Sequence, residues 1–587
     1  MTSIRMRLMH VLALCTAWCL GALAPYAEAA PMLLKPVAVK ASATDAGSRA
    51  GYAADGDVNT HWVSGKFPKQ WIQLDFGRPV AISQIRLLTS QDPTGKTVHS
   101  ISVGDDPNHL RVVRKFNGKT HDNQWLEHSG DGLSRDRLGH ARYVRVTTTQ
   151  SPSWVAWREI EVYQGVEHLG YFGSDFQGQF VGDPAAETAA AGANLTWIRG
   201  GDVAFIDARL TAAEKVGSRS VLVLESQLFT GGAGPLTLRP EMQRHALLAE
   251  VADMVYLKHA GTVAATYVLD EPYLNGLMTG TSIETMKSNL TQATADLRTY
   301  FTDVPVAAII SVDPREFDLG GDYFRMFDWV GFDCYGAWTG CGPAGRSMPA
   351  YIDALRGKLL VSQRMIAVPW TFRYDDLGTG ADAQAQLVDN IDHWHAEVLG
   401  DGKYVAVAPF LWNTLDLNAN SLVDAGAKDL PWAKERVYQM ARQLLHPEET
   451  RVYPVTVRAS GHYGTQYPFA AVDRDNNGAW SAGGPPVQWI ELNLGGSRRI
   501  SKVQLLTAQS PQGLTTHQLY GAGYVAGTST CPTEIGGFKP LGSALSGNTD
   551  DNQLLSWKGA ADIACLRVLT SQSPSWVGWR EISVWRP

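Results

Sequence analysis

The chain has 587 residues, 19% of them charged and 44% hydrophobic, with a net charge of -7. That length exceeds one ordinary domain and predicts three or four. The charge balance is globular, without a polybasic tract, which excludes nucleic acid as an expected partner.

Residues 1–30 read as an export signal. Arg5 and Arg7 give a positive start, Met9 to Leu23 an apolar stretch, and Ala27-Glu28-Ala29 a small-x-small cleavage site. Cys15 and Cys19 follow Leu14 and Trp18, a poor context for lipoprotein cleavage. A retained anchor is the alternative. No other apolar run approaches the roughly 18 residues that span a bilayer, so no membrane partner is expected. The product is expected to be secreted or periplasmic, and monomeric. Beyond the signal remain Cys334, Cys341, Cys531 and Cys565. An even count in an exported protein predicts disulfides, Cys334–Cys341 within one loop and Cys531–Cys565 within the last domain.

An internal repeat frames the chain. Gln150-Ser151-Pro152-Ser153-Trp154-Val155-Ala156-Trp157-Arg158-Glu159-Ile160 recurs as Gln572-Ser573-Pro574-Ser575-Trp576-Val577-Gly578-Trp579-Arg580-Glu581-Ile582. Upstream, Gln70-Trp71-Ile72-Gln73-Leu74 answers Gln488-Trp489-Ile490-Glu491-Leu492, and Asp122-Asn123-Gln124 answers Asp551-Asn552-Gln553. Two copies of one module therefore occupy 31–165 and 450–587. Each shows short alternating strands between Gly, Pro, Asn and Asp turns, the pattern of an antiparallel β-sandwich.

Between them, over 168–446, apolar runs alternate with helical periodicity. The predicted strands are Leu169–Asp175, Asn194–Arg199, Ser220–Glu225, Ala264–Asp270, Val306–Val312, Trp329–Tyr335, Met365–Trp370 and Val405–Trp412. Runs without polar alternation suit strands covered on both faces. Helices are expected over Arg239–Lys258, Ser282–Tyr300 and Pro431–Leu445, the last with Pro at its start. Eight β–α units in about 280 residues are the size of a (β/α)8 barrel. The fold class is thus multidomain: a β-sandwich, an α/β barrel and a second β-sandwich.

Barrels of this kind keep their chemistry at the carboxyl ends of the strands. Those ends carry Asp175 with Gln177 after it, Arg199, Glu225, Asp270 with Glu271 and Tyr273, Asp313, Asp333 with Tyr335, Trp370 with Arg373, and Trp412 with Asn413. Carboxylates perform acid/base or nucleophilic work in glycoside cleavage, and aromatic rings hold pyranose faces. Asp175, Asp313, Trp370, Trp412 and Asn413 are therefore candidate substrate contacts. Glu271 is the candidate general acid, because a desolvated carboxyl beside an ionised Asp270 keeps its proton.

The repeated modules resemble the discoidin, or coagulation-factor C-type, family, and within it carbohydrate-binding module family 32. The resemblance rests on Ala54-Asp55-Gly56-Asp57-Val58-Asn59-Thr60-His61-Trp62, on Gln70 to Leu74 and on Arg158 to Tyr163. It implies a structural calcium at Asp57, Thr60 and Glu159. In the second copy Gly478 replaces the Thr, which puts calcium there in doubt. It also implies carbohydrate as the partner, held on end loops with exposed aromatics. Trp154 and Trp576 are the candidates, His99 and His517 weaker ones, and Trp157 and Trp579 are as readily core.

The middle is similar to glycoside hydrolase barrels at superfamily level. That resemblance rests on Leu269-Asp270-Glu271-Pro272, Gly331-Phe332-Asp333-Cys334-Tyr335 and Phe410-Leu411-Trp412-Asn413. The large retaining clan places a nucleophilic Glu after strand seven, whereas this chain has Val368 to Arg373 there and no carboxylate before Asp375. Two branches stay open. Asp333 or Glu225 acts as nucleophile or base, or a 2-acetamido substrate supplies its own nucleophile, with Asp270, Glu271 and Tyr335 in the roles of hexosaminidase-like barrels. No cofactor is expected for catalysis. The rival reading is a non-catalytic carbohydrate-binding protein with a degenerate barrel. A lyase or deacetylase would want a metal-binding His/Asp set or a Lys/Tyr base, and the barrel shows no His-x-x-x-His spacing.

Overall fold

The computed structural model describes residues 33–129, 138–176, 182–230, 236–317, 319–360, 362–374, 378–399, 401, 403–416, 423–446, 449–525 and 528–587. The export signal, Gln177 and Asp375 lie outside the described residues. Among the described residues, no helix is long and apolar enough to cross a membrane.

The first unit is an antiparallel β-sandwich organised on one long strand, Gln70–Thr89. Its first half pairs with Gly139–Gln150, and its second half with Ala156–Gln164 and Trp125–Ser129. The strand thus serves both layers. Gly77, at φ 75°, lies at the register break between the halves, a backbone region that a side chain would strain. The core between the layers holds Trp62, Ile72, Ile85, Ile101, Val146 and Trp157.

Residues 451–585 repeat this pairing. Gly578–Trp585, Gln488–Thr507, Leu554–Gln572 and Gly513–Ala522 follow one another in the same order as their first-copy counterparts. Side chains repeat as well. Trp62 Nε1 donates to Ala43 O at 3.1 Å, and Trp480 Nε1 to Gly461 O at 2.9 Å. The edge contact of His99 on Trp157, at 4.8 Å, recurs for His517 on Trp579 at 4.7 Å.

Between these units lies a nearly closed parallel barrel, compatible with a (β/α)8 fold. Its second to eighth strands are Leu195–Arg199, Arg219–Val223, Val263–Tyr267, Val306–Ser311, Trp329–Asp333, Arg364–Ala367 and Tyr404–Val407, each parallel to the next. The first strand comes in two pieces. His168–Leu169 pairs with the eighth strand and Asp175–Phe176 with the second. Residues 170–174 join them, and Gly170 N and Phe172 N still donate to Val407 O and Pro409 O at 3.0 Å. A Cβ on Gly170 would sit 2.0 Å from Leu195 O, so this crossing tolerates only glycine. The interior is filled by Phe172, Trp197, Val223, Tyr267, Ile309 and Ile366.

Several strands end earlier than their apolar runs suggest. The fourth stops at Tyr267 and the seventh at Ala367, because the chains leave the ladder as they rise to the barrel mouth. The helices stand at Glu241–Lys258, Ile283–Tyr300 and Pro431–Leu445, with Ser282 Oγ capping Thr285 N at 3.2 Å. The last helix also seats the second antiparallel unit. Buried Arg436 donates to Pro454 O at 2.6 Å, and Gln439 Nε2 to Val472 O at 2.7 Å.

Both expected disulfides are present, Cys334–Cys341 and Cys531–Cys565, at sequence separations of 7 and 34. Loop-closure entropy makes the longer bridge the more stabilising, at about 4 kcal/mol. Replacing Cys531 and Cys565 by Ser is expected to lower the melting temperature of the C-terminal unit and leave barrel unfolding in place. Calorimetry of the variant beside the parent reads this directly.

Candidate active site at the mouth of the parallel barrel

Four strand ends converge on one carboxyl cluster. The fourth strand leads through buried Val268 and Leu269 to half-buried Asp270 and Glu271. Glu271 N donates to Ile309 O at 3.0 Å, anchoring this turn to the fifth strand. The backbone of Glu271 has φ 37°, a left-handed conformation that costs a residue with a side chain about 1–3 kcal/mol. Its carboxyl meets Asp333, which ends the sixth strand.

Asp333 closes that strand and is buried. Its Oδ2 accepts from Tyr335 Oη at 3.0 Å, and its Oδ1 is buried without a satisfied hydrogen bond. Burial drives its pKa well above the usual carboxylate range, with further upward pressure from Glu271 and Asp270. Burial also raises Glu271. Ionisation of either carboxyl opposes ionisation of the other, so the two titrate as an interacting pair.

Asp270 has a different environment. Its Oδ1 accepts from Tyr267 Oη at 2.8 Å, and the same hydroxyl accepts from Ile309 N at 3.1 Å. Burial pushes Asp270 up to about 7, opposed by the Arg199 guanidinium and reinforced by Glu271. Arg199 also donates to Glu225 Oε2, so Glu225, Arg199 and Asp270 form one electrostatic chain across the second, third and fourth strands. All five residues proposed for catalysis, Glu271, Asp270, Asp333, Tyr335 and Glu225, thus belong to one connected group. Arg199 is among the strand-end residues expected from sequence, without an assigned role, whereas Tyr267 is not. Tyr267 had a legible signal: a hydroxyl inside an apolar strand must find a partner.

The other strand-end candidates have defined places. Asp175 is buried, bonded to Arg209 Nε at 3.0 Å, and pushed up to about 6 by burial. Asn413 Nδ2 donates to Ser174 O at 2.9 Å, and Trp412 packs on Tyr171 at 4.8 Å. Trp370 lies under the Arg373 guanidinium at 5.1 Å. Asp313 is held by Arg315 at 2.6 Å, which keeps its carboxyl below the usual range. Glu316, three residues on, is the acid that turns inward, accepting from Ser311 N at 2.9 Å.

On the sandwich loops, Trp154 and Trp576 are exposed, at 47% and 46%. Trp157 and Trp579 are buried. His99 and His517 are buried too, bonded to Thr148 and Thr570 at 2.9 Å, which removes them as sugar contacts.

At the first-copy turn, Thr60 Oγ1 donates to Asp55 Oδ2 at 2.9 Å and lies 3.1 Å from Asp57 O. Asp57 Oδ1 accepts from Asn59 N at 2.9 Å. Glu159 Oε1 accepts from Gly56 N at 3.4 Å, while its Oε2 is buried without a partner. Burial, with Asp55 and Asp57 nearby, pushes Glu159 up to about 7. The second copy differs. Arg451, paired opposite Trp585 where the first copy has Leu33 opposite Tyr163, bonds Glu581 Oε1 at 2.5 Å.

Residues 38–160 match the F5/8 type C domain family. No curated protein matches the chain. Three solved structures illustrate the likeness. A family 32 carbohydrate-binding module of AlyQ, solved with 4,5-unsaturated mannuronic acid, is 26% identical, with 22% of this chain and 98% of that one covered and a TM-score of 0.19. A Clostridium perfringens module with GalNAc-β-1,3-galactose is 19% identical, over 22% and 99%, with a TM-score of 0.20. A chitosan-binding module of a Paenibacillus sp. IK-5 chitosanase/glucanase is 24% identical, over 23% and 98%, with a TM-score of 0.19.

Proposed function

We propose that the protein is an exported glycoside hydrolase, with a (β/α)8 catalytic barrel flanked by two carbohydrate-binding modules of the discoidin type. The observation that carries this reading is the cluster of Asp270, Glu271 and Asp333 at the ends of the fourth and sixth barrel strands, each carboxyl with its pKa raised by burial. A carboxyl that stays protonated near neutrality is a general acid. Glu271 protonates the leaving glycosidic oxygen.

The contact between Glu271 and Asp333 favours one of the two mechanistic branches. Direct displacement by a protein carboxylate wants about 5–5.5 Å between carboxyls, and inversion about 6.5–9.5 Å. Glu271 and Asp333 interact directly, which disfavours Asp333 as a carboxylate standing across the sugar from the acid. Glu225, the other protein candidate, is engaged by Arg199, which favours the substrate as the source of the nucleophile. A 2-acetamido oxygen attacks the anomeric carbon as the leaving oxygen takes the Glu271 proton. Asp270, held by Tyr267, orients the acetamido N–H. Water afterwards adds to the anomeric carbon, breaking its bond to the acetamido oxygen and so restoring the acetamido group, and gives a proton to Glu271. The test is hydrolysis of N-acetylhexosaminides, other chromogenic glycosides and bacterial or plant polysaccharides. Turnover only of sugars lacking the acetamido group sinks the substrate-assisted branch. Glycan binding without cleavage of any of them favours a non-catalytic carbohydrate-binding protein.

The first module fits a structural calcium. Among the described residues, no three acidic, His or Cys side chains converge on one point. Loop carbonyls therefore supply most of the six or more oxygens calcium wants, with Glu159 Oε2 as the unsatisfied carboxylate atom beside them. In the second module the Arg451 guanidinium already neutralises Glu581. Chelation by EDTA is therefore expected to lower the melting temperature of the N-terminal module alone. Glu159→Gln should remove that dependence. Equal EDTA sensitivity of both modules would contradict this assignment.

A further inference from the structure

The two copies share a fold but not a loop face. In the second copy, exposed Tyr463 meets exposed Trp576 edge-on, with ring centroids 4.8 Å apart and planes at 62°. The two rings make an L. Trp576 also lines a cleft of ≈ 630 Å³ with Ala479, Pro485, Ser510 and Pro574, and none of the lining residues is ionisable. Saccharide-binding clefts fall within this size range.

Position by position, the first copy is different. The backbone pairing of Tyr463 N with Ser481 O corresponds to that of Asp45 N with Val63 O, so Asp45 stands where Tyr463 does. Likewise Val577 N bonds Gly484 O as Val155 N bonds Lys66 O, so Lys66 stands for Gly484. His61 precedes Trp62 where Ala479 precedes Trp480, and Asp92 precedes its cis proline where Ser510 precedes Pro511. One loop Trp is retained on each face. At these four positions the first copy carries carboxyl, amine or imidazole side chains, and the second copy carries none.

We infer that the C-terminal copy is a stacking site for a neutral pyranose, with Tyr463 as the residue that sets its specificity, and that the N-terminal copy does not share this ligand. An apolar L of two rings receives one face and one edge of a sugar ring, and gains nothing from charge on the ligand. Asp45, Asp92, Lys66 and His61 would leave charges to be desolvated against the same ring, a cost that excludes it. This rests on the proposal that both copies bind carbohydrate.

The test uses the full chain carrying Glu271→Gln, so that probes are not consumed. Calorimetric titration is run with neutral hexasaccharides (N-acetylchitohexaose, cellohexaose and a galactan hexamer) and charged ones (a mannuronate hexamer and a chitosan hexamer). Binding of a neutral hexamer is expected, unchanged between about 0.05 and 0.5 M salt. Tyr463→Ala and Trp576→Ala should each weaken it by about tenfold or more. Tyr463→Phe should retain it, and Trp154→Ala should change it less than twofold. Binding that survives Tyr463→Ala but is lost in Trp154→Ala overturns the inference and leaves the carbohydrate reading standing. Binding of only the charged hexamers overturns it too. Binding of no saccharide by any variant overturns both.

Discussion

Glu271→Gln is expected to lower kcat on the cleaved glycoside by about 10²–10⁴-fold, the usual contribution of a positioned general acid. Gln is nearly isosteric and still accepts from neighbouring donors, so substrate binding and KM should change little. The loss comes from the proton alone. Aryl glycosides with acidic phenol leaving groups need less protonation, so the variant should retain more activity on them than on alkyl glycosides or polymer. A variant equally impaired on all leaving groups would place Glu271 elsewhere in the chemistry. A variant as active as the parent would remove it from the chemistry altogether. The φ of 37° at this residue adds a structural readout. Glu271→Gly relieves the backbone strain, so it should lose activity as Gln does while stabilising the barrel relative to Glu271→Ala.

Asp333→Asn is expected to stabilise the barrel at alkaline pH while abolishing most turnover. Asp333, Glu271 and Asp270 all have raised pKa values in the folded state, Asp270 at about 7. A raised carboxyl pKa means that the fold favours the neutral form. Below the unfolded value of about 4, both states are protonated and the cluster is fully tolerated. As pH climbs from there through about 7 in the folded state, the unfolded chain releases protons that the native state must hold or surrender at a cost. Stability contributed by the neutral cluster is lost over that window. Asn at 333 cannot ionise, accepts from Tyr335 as Asp does, and donates to Glu271. Its melting temperature should match the parent near pH 4 and exceed it near pH 8, by about 2–4 °C for each kcal/mol released. The alkaline limb of the pH–rate profile belongs to the pair, so residual activity should fall off at lower pH than in the parent. A variant less stable than the parent at pH 8 would show that the Asp333 carboxyl is not the strained member.

The outer architecture was legible because it depends on local patterns. The repeated Ser-Pro-Ser-Trp loop and the alternating strands around Trp71–Leu74 predicted two like units, and the main strands of the second antiparallel sheet follow one another in the order of the first. Apolar runs predicted each parallel strand of the barrel to within a few residues at its start. Their ends were overestimated, since an apolar run continues past the last ladder bond wherever the chain is still buried. Val268 and Leu269 are such a case.

The site was legible as a set of residue types at strand ends, and not as a set of partners. Nothing in the spacing of Asp333 and Glu271 says that they face each other rather than stand across a sugar. Nor could composition show that Asp313 is neutralised by Arg315 while Glu316 turns inward. His99 and His517 read as exposed loop histidines and are core, because alternation within a strand places a residue on a face without saying which face is covered. The sequence by itself determined which segments are strands, where the repeat lies and which carboxyls reach the barrel mouth, since these follow from hydrophobic periodicity and chain order. Only the tertiary structure decided which carboxyls meet, that Arg199 and Tyr267 contact Asp270, and that Tyr463 stands beside Trp576. Those facts depend on distances between residues far apart in the chain, and burial at such contacts sets both pKa and ligand chemistry.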